Sequence, residues 1–102
     1  MKSIYLTVCL LFFSFSAFSY RLSGLILDSN RQPIPYASIY VNKTSNGVSS
    51  NIKGEYYLEL QNGNYEIVFY SLGYEKKIIP ITINGENEIL NVTMLFSTTS
   101  LA

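Results

Sequence analysis

Residues 24–75 read GLILDSNRQPIPYASIYVNKTSNGVSSNIKGEYYLELQNGNYEIVFYSLGYE. Short runs rich in Tyr, Ile, Val and Leu alternate here with clusters of Asn, Ser, Gly and Pro. The apolar runs are typical of β-strands and the polar clusters of tight turns. Because no window in this stretch shows helical periodicity, the sequence predicts a small all-β domain.

The turn residues divide the chain into seven short strands. They are predicted at 21–28, 36–41, 48–52, 55–60, 65–70, 75–83 and 88–96. Such spacing favours a seven-stranded antiparallel β-sandwich. The clusters at 61–64 and 84–87 resemble hairpin turns, so the strands flanking each are expected to pair. Pro80 removes an amide donor and predicts that its strand lies at a sheet edge or a bulge.

Composition limits the chemistry that this chain can perform. Its 102 residues include seven basic and seven acidic side chains, so one domain is expected and nucleic-acid binding is not. The sequence has no His, and its one cysteine, Cys9, lies in the N-terminal apolar segment. Histidine general bases, thiol nucleophiles and His or thiolate metal sites are therefore not expected. We predict no catalytic residue, no metal site and no cofactor.

The remaining polar residues have ordinary structural interpretations. Four carboxylates alternate with apolar residues, as on a solvated sheet face: Asp28, Glu55, Glu59 and Glu66. Ser71 and Lys76 lack a motif for Ser–Lys catalysis. Asn30 and Asn51 could join Asp28 as oxygen ligands for Ca²⁺, but the spaced acidic loop of such sites is missing.

The first 19 residues form a separate segment. Lys2 precedes an apolar run at 4–13, and Ala17, Phe18 and Ser19 give the small-x-small pattern found before signal cleavage sites. The apolar run is shorter than the roughly 20 residues that a membrane-spanning helix needs. We predict a signal peptide at 1–19, a β-sandwich domain at 20–96 and a polar tail at 97–102.

Turn and core positions of the predicted domain form a recognisable pattern. The residues that carry it are Gly24, Asp28, Pro33, Pro35, Ala37, Gly54, Tyr56, Gly73 and Tyr74. The opening at 24–41 resembles that of carboxypeptidase regulatory-like domains. Gly54 and Tyr56 resemble the family's T-D-x-x-G-x-Y-x-L motif, with Asn51 in place of its Asp. Residues 71–75 resemble the family's S-x-x-G-Y-E motif.

This resemblance extends from about residue 20 to residue 96. It implies a transthyretin-like (prealbumin-like) sandwich without catalytic residues. In Bacteroidetes-type bacteria such domains commonly open TonB-dependent outer-membrane receptors and related envelope proteins. We therefore expect an exported binding module in the periplasm or outer membrane of a Gram-negative bacterium. Two alternatives remain: a fragment of a TonB-dependent transporter, or an accessory domain of a metallocarboxypeptidase or carbohydrate-binding system.

Two kinds of surface are candidates for binding. Four tyrosines are predicted to share one exposed sheet face: Tyr36, Tyr40, Tyr57 and Tyr70. Such a face would stack on carbohydrate or anchor a protein, unless it packs as a second face of the sandwich. Alternatively, a sheet edge offers backbone donors and acceptors to a neighbouring strand. We expect another envelope protein as the partner, with carbohydrate as the alternative.

Overall fold

The computed structural model describes residues 18–97; residues 1–17 of the predicted signal peptide and 98–102 of the predicted tail lie outside this range. The described chain is all-β. Its strands are β1 Tyr20–Leu27, β2 Ser38–Val41, β3 Gly47–Ser49, β4 Glu55–Leu60, β5 Gly63–Tyr70, β6 Lys77–Ile83, β7 Glu88–Ile89 and β8 Val92–Thr93. Within 18–97, no helix is long and apolar enough to cross a membrane.

The strands form two sheets, which confirms the predicted β-sandwich. One sheet has the order β4–β1–β7, with β8 also paired to β1, and the other has the order β3–β2–β5–β6. The second sheet is antiparallel throughout. In the first, β1 is antiparallel to β4 but parallel to β7 and β8. The predicted last strand therefore differs from expectation in two ways, since it is divided and runs parallel to β1.

The predicted hairpins at 61–64 and 84–87 are wrong. β4 and β5 lie in different sheets, as do β6 and β7, so both turns cross between the sheets. Turn residues specify that the chain reverses, but they do not specify which strand it then pairs with. The two turns meet at one end of the sandwich, where Gly85 N donates to Asn62 Oδ1 at 2.7 Å.

The division between β7 and β8 is caused by a close approach at Gly24. A Cβ at this position would overlap the carbonyl oxygen of Leu90. Leu90 therefore bulges against β1, and the side chain of the next residue restores the pairing, because Leu25 N donates to Asn91 Oδ1 at 3.0 Å. The hydroxyl of Tyr56 donates to the same Leu90 carbonyl at 2.7 Å. Only glycine fits at position 24 without moving this segment.

The hydrophobic core lies between the two sheets. Its residues come mainly from alternate positions of the strands, with Met94 just after β8: Leu22, Ile26, Ile39, Tyr56, Leu58, Leu60, Ile67, Phe69, Ile83, Val92 and Met94. β4 shows the alternation most clearly, with every second residue buried. At the centre, the rings of Tyr56 and Phe69 meet edge to face with centroids 5.6 Å apart. This packing joins the first sheet to the second through β4 and β5.

Candidate functional site

The residues that carry the family pattern organise turns. Asp28 is buried, and its Oδ1 accepts hydrogen bonds from Asn30 N at 2.8 Å and Gln32 N at 2.9 Å. This differs from the solvated position expected for Asp28. The carboxylate is used inside the 28–32 turn, as in an Asx turn, and is directed at the backbone rather than at a ligand.

The next turn is formed by Pro35 and Tyr36. Tyr36 has a φ of 59°, and a proline followed by a residue of positive φ is the pattern of a type II turn. Ala37 then enters the core, and its N–H donates to Ser50 Oγ at 2.9 Å. Ser50 is 1% exposed and its hydroxyl donates to Ile34 O at 2.8 Å. Ser50 is not predicted from the sequence, since a single Ser among turn residues carries no periodic signal.

Gly54 closes the turn that precedes β4. It has a φ of 78° and lies against the backbone of Ile26 and the ring of Pro33. Asn51 Oδ1 accepts from Lys53 N at 3.0 Å and from Glu55 N at 2.9 Å. A neutral amide thus satisfies the backbone of this loop. Among residues 18–97, no three His, Cys, Asp or Glu side chains are grouped so that they could hold a metal ion.

Gly73 and Tyr74 join the β5–β6 loop to the C-terminal segment. Gly73 has a φ of 91° and its carbonyl accepts from Ser97 N at 2.9 Å. Tyr74 stacks on Phe96 with ring centroids 5.1 Å apart. These residues hold the segment after β8 against the sandwich, which is a structural role.

The four candidate tyrosines do not form one surface. Tyr57 lies on β4 in the first sheet, whereas Tyr40 and Tyr70 lie on β2 and β5 in the second. The outer faces of the two sheets of a sandwich point in opposite directions, so Tyr57 is separated from the other two. Tyr36 lies on the turn before β2. Alternation within a strand predicts which residues share its face, but not which sheet the strand joins.

Tyr40 belongs to a packed patch on the outer face of the second sheet. Val68 lies directly opposite both Tyr40 on β2 and Ile78 on β6. Val68 is 1% exposed although it is absent from the core between the sheets. The interpretation of a second packed face therefore fits Tyr40, while Tyr57, at 60% exposed, is open to solvent.

The free edge of β4 is the surface best suited to binding. Ser23 O accepts from Leu90 N at 2.7 Å and Arg21 N donates to Asn87 Oδ1 at 2.8 Å, so the backbone groups of Ser23 and Arg21 point toward β7. Their partners across the β1–β4 ladder are Tyr57 and Glu59. Because backbone direction alternates along antiparallel strands, the N–H and C=O groups of both partners point away from β1, to the open side.

The other long edge strand, β6, is blocked at its centre. Glu66 O accepts from Asn42 N at 2.8 Å, so the backbone groups of Glu66 point toward β2. Pro80 lies opposite Glu66, and its nitrogen therefore faces the free edge, where a donor is missing. This confirms the edge position predicted from Pro80. The remaining edges are the three-residue β3 and the two-residue pieces β7 and β8.

Charged side chains surround Tyr57 at the β4 edge. The guanidinium carbon of Arg21 lies 4.7 Å from the centre of the Tyr57 ring, a cation–π contact. Glu55 and Glu59 are exposed on the same outer face. A groove runs beside the Tyr57 ring, and its lining includes Arg21, Ser23, Leu25 and Glu55. The alternation of β4 was visible in the sequence, but its edge position was not.

The family of this chain is shown by comparison with known proteins. A family model described as "CarboxypepD_reg-like domain" matches residues 22–102. The chain belongs to this family. The resemblance seen in its turn residues is thereby confirmed for the CarboxypepD_reg-like domain. No curated protein sequence matches the chain.

Solved structures share the fold of this CarboxypepD_reg-like domain at low sequence identity. A type II cohesin–X-dockerin complex from Acetivibrio cellulolyticus matches with a TM-score of 0.66 and 12% identity, over 76% of this chain and 58% of that chain. A DUF3823 family protein from Bacteroides ovatus matches with a TM-score of 0.58 and 20% identity, over 76% and 44%. The chain thus spans about half the length of these structures, and the likeness shows the fold alone.

The same sandwich also occurs in an enzyme. Catechol 1,2-dioxygenase from Pseudomonas arvilla matches with a TM-score of 0.63 and 8% identity, over 83% of this chain and 54% of that chain. At this identity only the fold is shared. The present chain has no His in its sequence.

Proposed function

We propose that this chain is a non-catalytic, exported module of the cell envelope that binds another protein by adding a strand of that protein to the free edge of β4. The observation that carries this proposal is the outward direction of the backbone groups of Tyr57 and Glu59. Among the described edge strands, β4 combines six residues with a regular alternation and no proline. Strand addition to such an edge is a recurring mode of peptide recognition.

The strength of this pairing can be estimated from its parts. Tyr57 and Glu59 offer two donors and two acceptors, and each hydrogen bond contributes about 1 kcal/mol net. The resulting ~4 kcal/mol is offset by the roughly 4–15 kcal/mol that association costs in lost translational and rotational freedom, so backbone pairing alone does not hold a partner. Useful affinity therefore also requires apolar contact, which the exposed ring of Tyr57 provides beside the free backbone groups.

A protein partner fits Tyr57 better than a carbohydrate does. Sugar rings are bound by stacking on an open aromatic face, and the guanidinium of Arg21 already lies over the Tyr57 ring. A neighbouring strand approaches from the side and does not need that face. The cohesin–X-dockerin structure is described as a complex, so the fold accompanies protein–protein assembly there, which supports a binding role here.

Export and an envelope location are parts of this proposal that rest on sequence. Support comes from the signal-like segment at 1–19 and from the family's frequent place in envelope proteins. The non-catalytic role is supported by the absence of His and by the position of Cys9 in the signal-like segment. The same edge would serve the module within a TonB-dependent receptor or beside a peptidase, because pairing needs only a partner strand.

Photo-crosslinking in the cells that produce the protein tests this proposal. A benzoylphenylalanine at position 57 is compared with one at Ile78, which is exposed on the blocked β6 edge. We expect a discrete protein adduct from position 57, found in the envelope fraction, and none from position 78. Absence of the adduct from position 57, or its recovery only from the cytoplasm, would contradict the proposal.

Proline variants identify the contact as strand pairing. Glu59→Pro removes an outward donor from β4 without removing a hydrogen bond to β1. Ser49→Pro is the matched control, because Ser50 N bonds to Ala37 O and the backbone of Ser49 therefore points outward from β3. We expect the adduct to disappear with Glu59→Pro and to remain with Ser49→Pro. An adduct that survives both would show that another surface mediates binding.

A further inference from the structure

The charges around the β4 edge select the sequence of the strand that it accepts. We propose that this partner strand carries a Lys or Arg two residues away from an apolar residue, and that the edge favours such a strand over a second copy of this chain. This inference rests on the proposed function and adds the chemistry of the partner to it.

The pairing site is closed at the end where β4 begins. Asn51 N donates to Glu55 O at 2.9 Å, and Glu55 N donates to Asn51 Oδ1 at 2.9 Å. The backbone groups of Glu55 are thus already paired on the open side. A docked strand is confined to the positions opposite Tyr57 and Glu59 and continues toward Gln61. The Asn51 turn therefore limits the registers available to the added strand.

The register determines which side chains meet. Residues directly opposite each other in neighbouring strands project from the same face, with Cβ atoms roughly 4.5–5.5 Å apart. The partner residue opposite Tyr57 therefore contacts an exposed aromatic ring, and the partner residue two positions away faces the carboxylate of Glu59. An apolar or β-branched residue suits the first position and a basic residue the second.

β4 itself carries two acidic side chains and no basic one. Glu55 and Glu59 contribute two negative charges, and Arg21, opposite Glu59 on β1, offsets one of them. Arg21 lies on the side away from the free edge, with its guanidinium over Tyr57. An incoming strand thus meets the two carboxylates of β4, which favours a basic residue and disfavours an acidic one.

A second copy of this chain fails the same requirement. Pairing β4 with its own copy, antiparallel and centred on Tyr57, places Glu55 directly opposite Glu59 of the other copy. Centring the pair on Leu58 places Tyr57 of each copy opposite Glu59 of the other, and centring it on Glu59 places the two copies of Glu59 opposite each other. None of these registers brings a basic residue to Glu59, because β4 contains none. Like charges directly opposite destabilise two of these registers, and the third lacks a cation for Glu59, so the edge favours the proposed basic strand over a second copy.

Three capped heptapeptides test the proposed selectivity: TKTVTKT, TQTVTQT and TETVTET. Each places the same residue on both sides of the valine, so either strand direction presents it to Glu59. Each peptide is titrated into the ¹⁵N-labelled protein, and binding is followed by the amide chemical shifts of Tyr57 and Glu59. We expect the lysine peptide to bind about fivefold more tightly than the glutamine peptide, and the glutamate peptide most weakly.

A charge reversal on the domain provides the matched experiment. With Glu59→Lys we expect the order of the three peptides to invert, so that the glutamate peptide binds about fivefold more tightly than the lysine peptide. The preference of the unchanged protein should also decline as salt rises from 0.05 to 0.5 M, because both carboxylates are exposed. Both results would support the proposed partner sequence.

The outcomes separate this inference from the proposed function. Equal affinities for the three peptides, with shifts at Tyr57 and Glu59 that Glu59→Pro abolishes, would overturn the charge preference and leave strand addition standing. Shifts confined to other residues, or unaffected by Glu59→Pro, would contradict both. An absence of shifts for every peptide would overturn the charge preference, and strand addition would then be decided by the crosslink from position 57.

Discussion

The hydroxyl of Tyr56 donates a 2.7 Å hydrogen bond to the carbonyl oxygen of Leu90. This contact joins β4 to the segment between β7 and β8, across the central strand β1. It is accommodated because Gly24, which lies opposite Tyr56 on β1, has no side chain. The hydrogen bond from Tyr56 to Leu90 therefore holds the edge strand β4, which carries the proposed binding site, in addition to core packing.

Removing this hydroxyl should destabilise the domain without changing its fold. Tyr56→Phe keeps the edge-to-face contact with Phe69 but leaves the carbonyl of Leu90 without this donor. We expect the free energy of unfolding to decrease by about 1–2 kcal/mol. Urea denaturation measures this change, with exposed Tyr57→Phe as the control expected to remain within about 0.5 kcal/mol. Equal losses in the two variants would show that the hydrogen bond contributes nothing.

Stability should also depend on Tyr56 at alkaline pH. Burial raises the pKa of Tyr56 above its ordinary value of about 10, because the phenolate is disfavoured. In the unfolded chain the phenol ionises at its ordinary pKa, so the stabilising contribution is complete below about pH 10 and is lost as pH rises beyond it. We expect Tyr56→Phe to lose less stability than the unchanged protein between pH 9.5 and 11. Parallel curves for the two proteins would contradict this assignment.

A side chain at position 24 should disturb the parallel pairing of β7. The Cβ of Gly24→Ala would overlap the Leu90 carbonyl, and that oxygen is backbone held by Tyr56. We expect a loss of about 2–3 kcal/mol in the free energy of unfolding and altered amide shifts along 88–93. Ser23→Ala, on the neighbouring residue, is the control and should stay within about 0.5 kcal/mol. An unchanged free energy of unfolding in Gly24→Ala would show that the bulge at Leu90 relaxes without cost.

The buried hydroxyl of Ser50 should be among the most sensitive groups in the domain. Ser50→Ala leaves the N–H of Ala37 and the carbonyl of Ile34 without their partner inside the fold. Each unsatisfied buried group costs about 1–3 kcal/mol, so we expect a total loss of about 2–6 kcal/mol. Thermal unfolding of Ser50→Ala and of the exposed neighbour variant Ser49→Ala gives the comparison. A small effect of Ser50→Ala would mean that water replaces the hydroxyl.

Pro80 should protect the β6 edge against self-association. Pro80→Thr restores an outward N–H beside those of Ile78 and Thr82 and keeps every hydrogen bond to β5. We expect sedimentation velocity to show concentration-dependent oligomers for this variant. The double variant Pro80→Thr/Thr82→Pro moves the proline to another outward position on the same edge. We expect this variant to be monomeric. Oligomers in neither variant would indicate that proline is not what protects this edge.

Several elements of the fold follow directly from local sequence. The alternation of 55–60 correctly predicts β4 and its buried face, because it reflects the period of a strand. Gly54 and Gly73 adopt positive φ at predicted turns. Pro80 correctly predicts an edge, since its missing donor excludes it from a central strand. Each of these features depends on a residue and its immediate neighbours.

The predictions that were wrong concern features that depend on distant parts of the chain. Whether the strand after a turn stays in one sheet or crosses to the other is decided by core packing, so the predicted hairpins were wrong. For the same reason Tyr57 was grouped with Tyr40 and Tyr70, which lie in the other sheet. The free edge at Tyr57 and Glu59 becomes visible only when the pairing of β1 with both β4 and β7 is known.

Residue-resolved amide hydrogen exchange tests the central claim most directly. In the free protein we expect the N–H groups of Tyr57 and Glu59 to exchange rapidly, while that of Leu58, which points toward Leu22 on β1, is protected. Addition of the crosslinked partner, once identified, should protect Tyr57 and Glu59 selectively. Protection of both amides in the free protein would contradict the account, because the β4 edge would then already be covered.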